Sequence, residues 1–352
     1  MPVVKKPEQE FSEHENRFLE ILSDGVFHSG QDLADDMGLS RSAISKIAMR
    51  LNDCGLPVFA VKRRGYALDY VPDRITPEKT LAFLSDIRVP WFRSYDVVDS
   101  TNLSALRHPE LPDYALIAAE YQPAGRGRVG RQYFNLYANQ VMFTLTVRFR
   151  ELSALQGLSA AAGVAVTRAL RGLGFRDIGI KWPNDVYLGG RKLCGILIES
   201  APRYDGVLAV IGIGVNARKN FLERMAEQGL LDQEITALEL SPDATPDNLS
   251  RNRILAVLYR ELCKAVLIFK TEGLASVRED YDAFDIFRGR EVVLRNSSGE
   301  LTGICQGISS GGALLLKTPE GIRQINAGDM SLRPLRKTDP ETAMKSEADS
   351  AP

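Results

Sequence analysis

The stretch "YQPAGRGRVGRQYF" (121–134) sets Gly125, Gly127 and Gly130 among Arg126, Arg128 and Arg131, and so matches the G-x-G-x-x-G pattern of a dinucleotide-binding turn. Such a turn requires a strand running straight into the glycines, a helix opening after them and an acid about 20 residues on. Here "QPA" breaks the strand, "RQYFNLYANQ" carries no helical stripe, and the next acid is Glu151, just past another strand-like run. No Gly-Lys-Ser or Gly-Lys-Thr follows, so a Walker phosphate loop is absent as well. The match to a dinucleotide fingerprint is therefore weak. What is left is a flexible cationic loop. Its glycines let backbone approach a ligand closely, and its guanidinium forks suit a polyanion such as a triphosphate or an adenylate.

Around this loop, 352 residues with 44% apolar content are enough for two or three domains. The net charge of −1 excludes a globally basic coat for nucleic acid. Four scattered cysteines and three histidines have no metal-ligand spacing, so neither a metal site nor a disulfide framework is expected. No apolar run is long enough to cross a membrane and the first residues lack a secretion signal, which points to a cytoplasmic protein without membrane partners.

Residues 1–70 read as a winged helix-turn-helix. "ENRFLEILSDG" (15–25) and "HSGQDLADDMG" (28–38) are helices ended by glycine, and a third helix starts at Ser40 with Ile44, Ile47, Ala48 and Leu51 on one stripe. "LPVFAVKRRGYALDY" (56–70) alternates like a hairpin with a basic tip. Between 41 and 68 stand six Lys or Arg against one acid, Asp53. Ser40, Arg41, Ser42, Ser45, Lys46 and Arg50 on the helix, with Lys62, Arg63 and Arg64 on the wing, are the candidate DNA contacts. A helical protein-interaction domain is the alternative.

"VPDRITPEK" (71–79) reads as a linker. Over 80–275 "YALIAAEY" and "QVMFTLTVRF" read as strands ahead of an Ala-rich helix at 153–174, and the strands "KLCGILIES" and "GVLAVIGIGVNA" cluster after it, before another helix at 248–273. That order predicts α+β with a mixed sheet. Residues 282–335 are short strands between Gly-containing turns, expected as a small β-barrel, and 336–352 is expected as a disordered tail.

Three further motifs carry chemistry. "KWPND" (181–185) puts a lysine at a strand end beside a constrained turn, where its charge suits a phosphoryl oxygen or a carboxylate. "DSTN" (99–102) offers hydroxyls and an amide to a neutral polar group, and "GIGVN" (212–216) permits close backbone approach.

In this order, "FHSGQDLADDMGLSRSAISKIAMRL" with "RRGYAL", then "DSTN", "AEYQPAGRGRVGRQYF", "KWPNDVYLGGRKLCGILIE", "GIGVN", "GGALLL" and "SLRPL" resemble the biotin-protein ligase family, in its bifunctional bacterial branch that also represses the biotin operon. The resemblance reaches to about residue 335. It implies a ligase that makes biotinyl-5'-adenylate from biotin and MgATP and transfers biotin to a lysine of a biotin carboxyl carrier protein. It further implies an SH3-like C-terminal barrel, and a homodimer that forms on ligand binding and binds operator DNA. By resemblance, Lys181, Arg126 and Arg128 are catalytic. Ser100, Thr101, Asn102, Gln122, Gly125, Arg126, Gly127, Arg128, Lys181 and Gly195 bind biotin, and Arg128, Arg131, Tyr133, Lys181, Asn184, Asp185, Asn216 and Arg333 bind the nucleotide. There are two departures: Tyr133 stands where the family's repressor has an adenine-stacking tryptophan, and Val129 where it has another arginine. A catalytically silent biotin sensor and a lipoate or other acyl-protein ligase are the rival readings.

Overall fold

The structure is a computed structural model that describes residues 8–230, 234–296, 299–326 and 331–334. The expected tail at 336–352 lies outside the described residues.

The chain opens with a two-residue strand, β1 (Glu8–Gln9), and then forms three helices, α1 (Glu13–Ile21), α2 (Gly30–Met37) and α3 (Arg41–Asp53). Each helix starts where a serine can accept an orphan N–H: Ser12 in a reciprocal capping box with Glu15, Ser29 from Asp32, and Ser40 from Ala43. Phe18, Leu22, Leu33, Ile44 and Leu51 close a small core under the hairpin of β2 (Val58–Val61) and β3 (Gly65–Leu68). This is the winged helix-turn-helix pattern.

That core does not stop at the linker. Val97, Tyr137 and Ala138 of the central region belong to the same apolar cluster, and Phe11 stacks on Tyr137 with ring centroids 5.3 Å apart. Strand β1 itself pairs antiparallel with the central sheet, Glu8 opposite Val98 and Gln9 opposite Val97. Downstream of α4 (Pro77–Leu81), that sheet is made of β4 (Phe92–Val98), β5 (Leu116–Tyr121), β6 (Gln140–Phe149), β7 (Ile178–Lys181), β8 (Asp185–Leu188), β9 (Arg191–Arg203) and β10 (Gly206–Asn216). Its order is β1-β4-β5-β6-β10-β9-β8-β7, with β4 and β5 parallel and the other neighbours antiparallel. The sheet is therefore mixed, as the clustering of strands predicted.

One face of the sheet is covered by α6 (Leu158–Gly172) and α8 (Arg251–Glu272), which bury alanines and β-branched residues against Val141, Phe143, Ile211 and Ile213. The other face carries α5 (Thr101–Arg107) and the glycine/arginine loop. Helix α8 is pinned at its start by Arg251, fully buried, which reaches Glu120 at 2.6 Å, the Asp73 carbonyl at 2.6 Å and the Gln140 carbonyl. The short helix α9 (Arg278–Phe284) packs beside α6, the short helix α7 (Asn220–Glu227) buries Phe221 and Met225 in a separate cluster with Leu136 and Ala237, and no described helix is long and apolar enough to cross a membrane.

The C-terminal strands β11 (Glu291–Asn296), β12 (Gly299–Ile308), β13 (Leu314–Thr318), β14 (Gly321–Ile325) and β15 (Ser331–Pro334) depart from expectation. They form an open sheet, β14-β13-β12-β11-β15, whose end strands do not pair, so the SH3-like barrel is not closed. Closing a barrel needs every strand to turn apolar side chains inward. Strand β14 offers little to such an interior, since Gly321 through Gln324 are exposed and only its last residue, Ile325, packs against the core.

Candidate active site

The site is built on the sheet face opposite α6 and α8. Because side chains alternate along a strand, the register defines which residues share that face. Met142 of β6 lies opposite Gly214 of β10, Gly214 opposite Gly195 of β9, Gly195 opposite Asp185 of β8, and Asp185 opposite Lys181 of β7. This cross-strand row covers four strand spacings, about 19 Å. In the middle of it two glycines leave a notch, and Gly212 widens the notch next to Leu197. This row from Met142 to Lys181 is the floor of the candidate site, here called the trough, with Tyr133 seated over Gly214 and Asn102 over Gly212.

At its Met142 end the trough is walled by α5. Ser100 is buried at the helix start, and the N–H of Thr101 donates to Gln122 Oε1 at 2.8 Å. Gln122 in turn donates to Met142 Sδ at 3.1 Å, and Asn135 holds the Gln122 backbone. Asn102 is 3% exposed and lies so close over Gly212 that a Cβ there would come within 2.5 Å of its Oδ1. Its amide donates to the Leu197 carbonyl at 3.1 Å and to Glu199 Oε2 at 2.9 Å, while Thr144 donates to its Oδ1. The amides of Gln122, Asn102 and Asn135 are each oriented by a neighbour, so this part of the pocket is preorganised.

The glycine/arginine loop spans the trough and touches both ends. Arg126 pairs with Glu199 at 3.0 Å, and Arg128 donates to Asn184 Oδ1 at 3.3 Å. Glu199 was not among the sequence candidates. Its signal was present as an acid at the same parity as Gly195 on a strand whose other face is core. Within the loop the N–H of Gly127 donates to the Arg131 carbonyl at 2.7 Å and that of Tyr133 to the Gly125 carbonyl at 2.9 Å. The Tyr133 hydroxyl is buried with no hydrogen-bond partner, seated where a Cβ on Gly214 would come within 2.6 Å, and burial pushes its pKa well up. Val129 is 62% exposed at φ 57°, a strained setting for a β-branched residue. Arg131 is exposed on the loop's outer side.

At the other end, the peptide between Trp182 and Pro183 is cis. Lys181 Nζ donates to the Tyr187 hydroxyl at 2.8 Å and lies over its ring. Asn184 donates to the Ile196 carbonyl at 2.7 Å, and Asp185 pairs with Lys192 at 2.8 Å. Trp182 Nε1 donates to the Gly312 carbonyl at 3.1 Å, which brings the C-terminal sheet to the trough's edge. A cavity of about 320 Å³ lies there, lined by Arg128, Ser159, Trp182, Pro183 and Gly312.

Three sequence candidates stand apart. Asn216 is buried at the end of β10 and gives its amide to the Thr236 carbonyl. Arg333 falls in β15 opposite Val293, and its side chain lies outside the described part of the structure. Arg50 pairs with buried Glu15 at 2.9 Å and so serves the core of the helical unit. In the same unit Ser40, Arg41, Ser42, Lys46, Lys62, Arg63 and Arg64 are exposed on α3 and the wing, Ser45 is half-buried, and Arg64 lies over the Phe27 ring. No described group of His, Cys, Asp and Glu could hold a metal by itself. Burial pushes the thiols of Cys54, Cys263 and Cys305 up to about 11, 12 and 12, so none presents a thiolate near neutrality.

Comparison with known proteins agrees with this geometry. Residues 94–216 match the biotin/lipoate A/B protein ligase family, 287–333 the biotin protein ligase C-terminal domain, and 14–67 an HTH domain. The chain is 36% identical over 325 residues to the bifunctional ligase/repressor BirA of Escherichia coli, covering 91% of this chain and 98% of that one. It is 30% identical over 314 residues to BirA of Bacillus subtilis, covering 87% and 94%. The biotin protein ligase of Aquifex aeolicus, solved with biotin and ATP, superposes with a TM-score of 0.58 at 26% identity over 70% of this chain and all of that one. The chain therefore belongs to the BirA-type family of bifunctional biotin ligase/repressors.

Proposed function

We propose that the trough holds biotin at its Met142 end and ATP toward Lys181. There the chain makes biotinyl-5'-adenylate and then biotinylates a lysine of a biotin carboxyl carrier protein. The observation that carries this reading is the register: a polar pocket, a glycine floor and a strand-end ammonium lie in one row across five strands, under one cationic loop. The glycines at 212 and 214 leave the space that Asn102 and Tyr133 occupy, which brings both side chains against the sheet.

In the first step a biotin carboxylate oxygen attacks the α-phosphorus and pyrophosphate leaves. Anionic groups must come together for this, so the barrier is largely electrostatic. Lys181 supplies charge at the carboxyl and α-phosphate oxygens, and Arg126 and Arg128 exchange Glu199 and Asn184 for ligand oxygens as the loop closes. Ser100, Thr101, Asn102 and Gln122, with the backbone of Gly125 and Gly127, orient the ring and tail of biotin, and Gly195 lets them approach the sheet. Tyr133 offers a ring to adenine, while Arg131, Asn216 and Arg333 are candidates for the outer nucleotide contacts. Magnesium reaches such sites on substrate phosphates with one or two protein carboxylates, and Asp185 is the carboxylate beside Lys181. In the second step the carrier lysine's amine attacks the acyl carbon, AMP leaves and the amine loses its proton. Loop closure keeps water from the mixed anhydride between the steps. No protein nucleophile takes part.

Arg41, Lys46 and the wing cations face outward on the helix-turn-helix, where they suit phosphates, with Ser40, Ser42 and Ser45 toward base edges. In this reading the adenylate-bound chain dimerises and represses from an operator. The segments 1–70, 80–275 and 282–335 divide the work as DNA head, ligase and C-terminal cover. The test is pyrophosphate release with MgATP and biotin, followed by labelling of a carrier domain, with lipoate offered in parallel. Labelling with biotin alone supports the reading. No pyrophosphate and no labelled carrier, or labelling with lipoate only, overturns it.

A further inference from the structure

Strand β1 precedes the helix-turn-helix in the chain but packs as part of the ligase sheet. Besides its pairing with β4, the N–H of Phe11 donates to Asp96 at 2.7 Å. Glu8 reaches further. Its Oε1 accepts from Ser104 Oγ at 2.8 Å and Arg107 Nη2 at 3.1 Å, and its Oε2 accepts from the Tyr95 hydroxyl at 3.2 Å; His108 Nε2 lies 3.5 Å away. Ser104 and Arg107 belong to α5, the helix that begins with the "DSTN" motif.

The same guanidinium grips Asp99 with a fork, at 2.7 Å and 2.9 Å. Asp99 then acts in two directions. Its Oδ1 accepts the N–H of Ser100 at 2.8 Å, and its carbonyl accepts the N–H of Ala124 at 3.1 Å, where the chain enters the glycine/arginine loop. A continuous line of hydrogen bonds thus runs from Glu8 through Arg107 and Asp99 to the pocket wall and the loop.

We propose that Glu8 is a positioning residue for the biotin pocket, holding Arg107 in the orientation that fixes Asp99 and, through it, the Ser100 turn and the loop entry. The proposal rests on the assignment of Ser100–Asn102 and the loop to biotin. Helix α5 is seven residues long, too short to hold itself by helical cooperativity, so its register depends on side-chain ties of this kind. Burial pushes the Glu8 carboxyl up, yet the hydrogen bonds from Ser104, Arg107 and Tyr95 outweigh it and hold the group below its usual range, as a charged acceptor. Without Glu8, Arg107 keeps one carboxylate and gains freedom to turn toward solvent.

The experiment uses the full chain and biotin. Glu8→Ala is expected to raise the biotin Kd by calorimetry, and the biotin KM, by about tenfold with kcat within about twofold, an effect of the size seen for coupled neighbours. Glu8→Gln keeps the acceptor oxygen and should recover most of the loss. Arg107→Ala, which also removes the fork on Asp99, should lose at least as much as Glu8→Ala, and the double variant should lose no more than Arg107→Ala alone. Glu10→Ala alters the same strap but removes only a surface pair with Arg93, and serves as the control. Wild-type biotin affinity in Glu8→Ala, multiplying losses in the double variant, or an equal loss in Glu10→Ala overturns the proposal. Amide exchange at Ser100 and Ala124, expected to quicken in Glu8→Ala and to stay near the wild-type rate in Glu8→Gln, reads the relay without any ligand. It separates failure of the relay from failure of the biotin assignment, which would appear as a wild-type protein that binds no biotin.

Discussion

Replacing Gly195 with alanine tests the trough more cleanly than changing any charged residue. In the structure a Cβ at Gly195 would meet only Lys192 Cε at 3.9 Å and Asp185 Oδ1 and Lys192 Nζ at 4.0 Å, all ordinary contacts. The empty protein therefore accommodates the methyl, and stability should change by no more than about 0.5 kcal/mol, a shift of about 1–2 °C in Tm. The ligand has no such room. If biotinyl-adenylate lies on the glycine floor, the methyl overpacks the complex by about 1–3 kcal/mol, so affinity falls about 5- to 150-fold. Calorimetric titration with biotin and with a non-hydrolysable adenylate analogue, beside a thermal melt of the same sample, measures both quantities. Gly214→Ala is the companion variant. Its Cβ would stand 2.6 Å from the Tyr133 hydroxyl and 2.8 Å from its Cζ, so the ring must leave its seat even in the empty protein. The pair separates displacement of Tyr133 from obstruction of the ligand. A Gly195→Ala protein with wild-type Tm and wild-type affinity for both ligands would refute the trough as the binding surface.

Lys181→Ala should slow adenylate formation by about 10²- to 10³-fold while biotin KM stays within a few-fold, because charge on the reacting oxygens is lost but the pocket end is untouched; single-turnover pyrophosphate release at the wild-type rate would exclude that role. Arg41→Ala and Lys46→Ala should each lower the slope of log K against log salt for operator DNA by about one, whereas Arg50→Ala should change the slope little and cost stability by stranding buried Glu15. Salt titrations of a gel shift, with urea melts, tell these apart. Arg251→Met should destabilise the chain by about 3–5 kcal/mol in urea unfolding, since it leaves Glu120 buried without its cation and frees the Asp73 and Gln140 carbonyls.

How far the site could be read from residue order follows from what each feature depends on. Local features were legible. The Ser40 cap, the glycine-ended helices and the strands β5, β6, β9 and β10 are set by neighbours a few residues apart, and they appear where the pattern places them. The motif residues were legible as chemistry too, because a glycine beside an arginine keeps its meaning in any fold. Their arrangement was not. That Lys181, Asp185, Gly195, Gly214 and Met142 form one row depends on four pairings between strands whose order no local signal contains, and a one-residue slip in any of them would move its partner to the helix-covered face. The same reason hid Glu199, whose partners lie 73 and 97 positions away in Arg126 and Asn102, and hid the pairing of Arg50, a candidate DNA contact, with Glu15 on another helix. Strand β1 is the extreme case: two residues are too few to show a period, and its place is decided by Glu8 finding α5 and by Phe11 finding Tyr137. The open C-terminal sheet shows the converse. Regular turns suggested closure, but closure is a pairing between the first and last strands in the sheet order, which no local signal contains, and among the described residues β14 and β15 are not paired.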